Sequence, residues 1–213
     1  MSLHNHLHIH LHLWRHPKPT GHEGRCIGQT DVPVDRRRAK RLAHRIRAQA
    51  RRQGWPRVIH TSPLQRCARV GRILRSWGWR HHLHPAWAEL HFGDWDGRAW
   101  AYIPVDQVDA WVANFSGHRR PGGESLVDLV QRLRTLPALQ APASDNPVLV
   151  VAHAGVMQAL RWCATQPAGW AGVCPDARQW GRAPAYMAAL ALHCAPSFES
   201  TAHHEPDRTS RPA

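Results

Sequence analysis

Apolar and polar positions alternate with period two over residues 7–13, which predicts a half-buried strand at the start of the chain. A loop containing proline and glycine follows over residues 17–35. Beyond it the period changes: Ala39, Leu42, Ala43, Ile46 and Ala50 recur at helical spacing and predict an amphipathic helix ending near Gly54. A short strand is expected at 57–61. Ser62-Pro63 then reads as a helix start, serine as N-cap and proline at the first helical position, with Leu64, Cys67, Ala68, Gly71 and Leu74 as the buried face. Residues 86–123, rich in tryptophan and proline, predict helical fragments at best and an excursion whose aromatics could roof a cleft. After Gly122-Gly123 a helix is predicted by Leu126, Leu129, Val130, Leu133 and Leu136, and residues 137–147 read as a loop. The run at 148–152 is the clearest buried strand, and residues 186–192 are expected to add an edge strand.

Strands alternating with helices imply an α/β class, a three-layer fold with a largely parallel central sheet flanked by helices. Residues 1–196 are expected to form one domain with a cap-like insertion over about residues 95–120, and residues 197–213, polar and containing proline, a disordered tail. Ligands should gather at the C-terminal ends of the strands.

Composition narrows the class. No apolar run approaches the roughly 20 residues needed to span a bilayer. The five cysteines are widely spaced, with no Cys-x-x-Cys pair, so a reduced cytoplasmic setting is expected. The formal charge of +13 comes almost entirely from arginine, densest over residues 36–52. That block could bind nucleic acid, but it reads better as a solvated helix face, because no aromatic residues interleave the arginines along it. Nucleic acid is therefore not the expected partner. His4, His6, His8, His10 and His12 alternate, which would place five imidazoles on one strand face. No carboxylate or cysteine accompanies them, so neither a metal site nor a cofactor is expected.

Three predicted strand ends deliver cationic or nucleophilic side chains to one rim: Arg15 and His16, Arg66, and His153. Two guanidiniums can grip phosphate oxygens bidentately, and backbone amides at the start of the helix after Gly155 would add partial positive charge. A neutral imidazole among such cations can attack phosphorus while the same charges stabilise the transition state. His16 is the natural nucleophile of this metal-independent phosphate pocket.

Five segments in order, LWRHPKP (13–19), TSPLQRCARV (61–70), ELHFGDWDG (89–97), PGGES (121–125) and VVAHAGV (150–156), resemble successive motifs of the histidine phosphatase superfamily. The resemblance implies a phosphomonoesterase working through a phosphorylated His16, with Arg15, Arg66 and His153 binding phosphate. Glu89 matches the family's proton donor, and an alkoxide leaving group needs such a positioned acid. Pro17 replaces the family's usual glycine, and the acidic residue common next to it is missing. An Arg-His-Pro start, Gly28-Gln29-Thr30-Asp31-Val32-Pro33, Ser62 to Cys67, Ile103-Pro104 and Asp109 to Trp111 are similar to bacterial alpha-ribazole phosphatases of cobalamin assembly. That subgroup implies alpha-ribazole phosphate as substrate, with tryptophans of the cap stacking on an aromatic leaving group. His22, standing where many relatives have asparagine, and Gln29 are candidate substrate contacts, and Asp96 replaces a commoner glutamate at a structural position. A phosphoglycerate mutase-like enzyme or a sugar phosphatase would use the same pocket, and Arg98, Arg119 and Arg120 keep that alternative open. A protein of another class, catalytically impaired and binding anions or nucleic acid, is the remaining alternative. A small phosphomonoester is the expected partner; the sequence gives no oligomeric state.

Overall fold

The computed structural model describes residues 9–140, 144–166 and 174–194. The segment 197–213 expected to be disordered, and His4, His6 and His8 of the histidine run, lie outside the described residues.

A five-stranded sheet in the order β3-β2-β4-β1-β5 forms the centre. Its strands are β1 (Ile9–Arg15), β2 (Val58–Thr61), β3 (Arg80–Leu83), β4 (Val148–Ala152) and β5 (Ala189–Cys194). Four run parallel and β5 pairs antiparallel with β1, Leu13 opposite Leu190. The three-layer expectation holds. Alternation along β1 explains the layers: Leu11 and Leu13 point to one face, Trp14 to the other.

On the Trp14 face, α1 (Arg36–Gln53) and α2 (Gln65–Ser76) cover Ile59, Leu149 and Val151 with Leu42, Ile46, Val70 and Leu74. Asp35 caps α1 through the Arg38 N–H, and Gly54 closes it in the left-handed region. On the other face, α4 (Leu126–Arg134) and α6 (Ala154–Thr165) pack Leu129, Leu133, Met157 and Leu160 onto Val150 and Ala152. A capping box joins Ser125 and Asp128 at the start of α4.

The excursion contains three single 3-10 turns and α3 (Val105–Ala113), a helix with no buried residue. A short α5 (Pro137–Gln140) occupies part of the expected loop after α4. β3 went unpredicted because its sequence, RHHL, has no apolar alternation. Its neighbour α2 supplies the packing that local sequence lacks.

Trp95 departs from the expected aromatic roof. It is 1% exposed and belongs to a small core with Cys26 and Ile103. The Arg120 guanidinium, equally buried, lies over the rings of Phe92, Trp95 and Trp111 at 4.8, 5.5 and 5.5 Å. Trp95 and Trp111 thus pack around Arg120 inside the excursion, whereas Trp100 is 41% exposed. No helix among the described residues is long and apolar enough to cross a membrane.

Candidate active site

β2, β4 and β1 are adjacent and parallel, so their C-terminal ends share one rim. His16 follows β1 and its N–H donates to Ala152 O at 2.9 Å. Its Nδ1 lies 2.8 Å from Pro17 O, a carbonyl that can only accept, so Nδ1 carries the proton and Nε2 keeps its lone pair. Burial and the nearby Arg66 guanidinium hold the His16 pKa well below the usual imidazole value, against the bond to Pro17. The geometry therefore presents a neutral imidazole with one free nitrogen.

Arg66, from the first turn of α2, is 1% exposed. Its Nε–H donates to His153 Nδ1 at 3.2 Å, Nη1 to Thr30 O at 2.9 Å, and Nη2 to Gly28 O. Two of its five N–H groups remain for a ligand. His153, at the end of β4, has no exposed surface, and its ring centre lies 5.2 Å from that of His16. Because Nδ1 accepts from Arg66, Nε2 bears the proton and donates to Ser62 Oγ at 2.7 Å. Both nitrogens thus have protein partners, and a phosphate on His16 would compete with Ser62 for the Nε2 proton. Burial and Arg66 also hold His153 neutral.

Ser62 is consequently not the helix cap expected of it. α2 begins at Gln65, whose backbone N–H donates to Asp31 Oδ1 at 2.6 Å, with the side-chain amide on Oδ2. The loop over residues 28–31 therefore ties to α2 at two points. A third tie comes from the cap: Asp96 accepts from the backbone N–H of Gly28, Gln29 and Thr30 and from the Thr30 hydroxyl. Burial raises the Asp96 pKa, but these hydrogen bonds outweigh it and hold the carboxyl below its usual value. The structural role expected of Asp96 is to shape the carbonyls that orient Arg66.

Glu89 is 8% exposed. Its Oε1 accepts from Leu90 N–H and its Oε2 from Gly155 N–H, both at 3.0 Å. The helix begins at Ala154, before Gly155, and the Gly155 amide in its first turn is spent on Glu89. A Cβ at Gly155 would lie 2.4 Å from Glu89 Oε1, so this close approach requires glycine.

Arg15 donates from Nη1 to Pro184 O, and its guanidinium lies 4.0 Å from the centre of the Tyr186 ring. Tyr186 escaped sequence reasoning. Its ring is 5.6 Å from that of His16 and 5.8 Å from that of His22. The pairing of β5 with β1, which starts at Trp14–Ala189, and the backbone bonds of Arg15 with Ala188 and Met187 beyond it bring it to the rim. His22 is half-buried against Tyr186, with Glu23 3.5 Å from its Nδ1. Gln29 sends its side-chain amide to Glu89 O at 3.0 Å. The structure thus gathers Arg15, His16, His22, Arg66 and His153 together, and links Gln29 and Glu89 to each other.

The three arginines reserved for a mutase-like pocket have partners elsewhere: Arg98 donates to Tyr102 O, Arg119 pairs with Asp128, and Arg120 lies in the cap core. Among the described residues no group of three or more His, Cys, Asp or Glu is placed to hold a metal ion. His10 stacks on His193, while His12 is buried against Trp14 and Trp55 with Gln49 beside its Nε2.

The model of the histidine phosphatase superfamily (branch 1) matches residues 11–171, and the chain belongs to this superfamily. It is 30% identical over 165 residues to a glucosyl-3-phosphoglycerate phosphatase of Mycobacterium tuberculosis, covering 62% of this chain and 70% of the relative. The native structure of the mycobacterial glucosyl-3-phosphoglycerate phosphatase superposes with a TM-score of 0.62 at 28% identity, covering 76% of this chain and 83% of that one. A phosphoglycerate mutase from Thermus thermophilus shares the fold, with a TM-score of 0.60 at 24% identity over 86% of this chain and 92% of that one. The family and its phosphatase relatives make this chain a phosphoric monoester hydrolase.

Proposed function

We propose that hydrolysis runs in two steps through a phosphohistidine on His16. The carrying observation is the Pro17 carbonyl at 2.8 Å from Nδ1, which leaves Nε2 free on a buried, neutral ring beside Arg66. Nε2 attacks phosphorus as the ester oxygen departs, and Glu89 supplies the proton that oxygen needs. Water then attacks the phosphohistidine and gives a proton to the Glu89 carboxylate as the P–N bond breaks, which releases inorganic phosphate, restores the acid and regenerates the neutral imidazole. Arg15 and Arg66 stabilise the equatorial oxygens in both steps. Brief mixing with phosphate-labelled substrate and acid-free quenching should leave acid-labile, base-stable label on His16 and none on His16→Ala. Turnover without label would replace the covalent path by direct attack of water. Activity should persist in EDTA, because guanidiniums occupy the role that bound cations play in a metallophosphatase; loss restored by added metal would overturn this reading.

For the substrate, a sugar-acid phosphomonoester of the glucosyl-3-phosphoglycerate kind is favoured over alpha-ribazole phosphate. The named relatives support it, and the stacking argument for an aromatic leaving group loses much of its basis with Trp95 in the cap core. Comparison of kcat/KM on both esters tests the choice directly. A clear preference for alpha-ribazole phosphate would restore the cobalamin role suggested by the Arg-His-Pro and Gly28 to Pro33 motifs.

A further inference from the structure

The opposite end of the sheet carries a second concavity that hydrolysis does not use. The last turns of α1, the turn into β2 and the turn into β3 enclose about 310 Å³, lined by Arg47, Arg51, Arg57, Trp55, Trp77 and Trp79, with Ala50 and Gly54. It sits at the N-terminal ends of β2 and β3, whereas His16 and His153 follow the C-terminal ends of β1 and β4. Trp79, 5% exposed, belongs to the core beneath; Trp55 and Trp77 are half-buried and the three arginines are exposed.

Along the sequence the arginine block shows no interleaved aromatics, which favoured a merely solvated face. Folding supplies them from outside the block. Arg47 lies over the Trp77 ring at 5.4 Å, and Trp55 follows the helix directly. The charge around the concavity is of one sign. Residues 36–88 hold fourteen arginines and Lys40 and not one Asp or Glu. Among the described residues, Arg47, Arg51 and Arg57 have no carboxylate partner. The end of α1 contributes a partial negative charge of only about half a unit, and its Ala50 carbonyl already accepts from the Gly54 and Trp55 amides. Three full positive charges dominate it.

Trp55 and Trp77 pack in part against the core, with His12 and His44 beside their rings, and also line the recess among the arginines. We propose that this recess binds a nucleotide unit, its base against Trp55 and Trp77 and its phosphate on Arg47, Arg51 and Arg57. Base stacking on indoles combined with phosphate on arginines is the recognition chemistry of single-strand binders. A free nucleotide and an unpaired nucleotide within a strand offer the same chemistry, and the test separates them.

The probe is adenosine 3′,5′-cyclic monophosphate, a diester that leaves the monoesterase site unengaged, titrated calorimetrically into the full chain. Expected are one site per chain and weakening on the order of tenfold or more, both for the paired Arg47→Gln, Arg51→Gln variant and for Trp77→Ala. Hydrolysis of p-nitrophenyl phosphate should be unchanged in both. The arginine pair is exposed, so it keeps the test open if Trp77→Ala does not fold. A short single-stranded oligonucleotide forms the second arm. Tighter binding of it with a steep salt slope identifies a strand as the source, while equal or weaker binding identifies the free nucleotide. Diethyl phosphate, a diester without a base, binding as well as the cyclic nucleotide, variants binding as wild type does, or no binding of either probe would each overturn the proposal. None of these results bears on the phosphohistidine reading, whose label is measured at His16.

Discussion

The backbone amide of Gly155 donates to Glu89 Oε2 at 3.0 Å, and the space where a side chain would begin is filled by the other carboxylate oxygen. One residue therefore fixes the acid both by bonding to it and by having no Cβ.

Gly155→Ala should push Glu89 off its position without touching His16. On a sugar phosphate, whose alkoxide must be protonated, kcat is expected to fall by about 10²-fold, the lower range for loss of a positioned acid. On p-nitrophenyl phosphate, whose leaving group departs as an anion, the fall should be less than about fivefold. Equal losses on both esters would remove Glu89 from the acid role.

Activity should extend well into acid. Protonation of His16 destroys the nucleophile, and burial together with Arg66 lowers its pKa, so the neutral form persists below pH 6.5. The acid limb of kcat/KM for p-nitrophenyl phosphate is therefore expected below the ordinary histidine range. A limb centred at 6.5 or above would show that His16 is not held neutral in this way.

Asp96→Asn should act at a distance. Without a full carboxylate the loop over residues 28–30 loses charge-assisted bonds, costing about 2–3 kcal/mol in urea unfolding. Because Gly28 O and Thr30 O also hold Arg66, kcat should fall on every monoester regardless of leaving group. Lost stability with unchanged kcat would separate the loop from Arg66.

Stability should decline in mild acid. Burial first, then a neighbouring cation or imidazole (His10, His82 and Arg75 respectively), lowers His12, His60 and His81 to about 4. The unfolded chain, with ordinary imidazoles, takes up protons first. The stability these three rings contribute is thus fully present above pH 6.5, is lost as pH falls toward 4 and changes no further below that, where carboxyls such as Asp96 take over. With the partial exposure of His60 and His81 discounted, the slope should be about 2–3 kcal/mol per pH unit. Urea midpoints at pH 7 and pH 5 measure it; a flat profile would contradict the burial of these rings.

Periodicity alone revealed α1, α4 and the buried strands, because each presents one apolar face to a core. The rim was legible because Arg15, His16, Arg66 and His153 follow strands that local pattern predicts. What stayed hidden depends on contacts distant in sequence. Asp31 caps a helix that begins 34 positions later, and Ser62 serves His153 across 91. Tyr186 reaches His16 through antiparallel pairing and the Arg15 bonds that extend it. Trp95 reads as a ligand platform in the sequence, whereas Arg120, Cys26 and Ile103 bury it.

β3 has a consequence for the chain among its neighbours in solution. It is an outer strand of the sheet, only four residues long, and shows Arg80, His82 and Leu83 to solvent. An open strand edge is a template on which another chain's strand can form, and short, charged edges template poorly. At the other margin β5, with six residues running antiparallel, has among the described residues no strand on its outer side and so presents a longer row of backbone groups there. If this protein self-associates into fibrils under stress, growth should begin at β5, while β3 resists it.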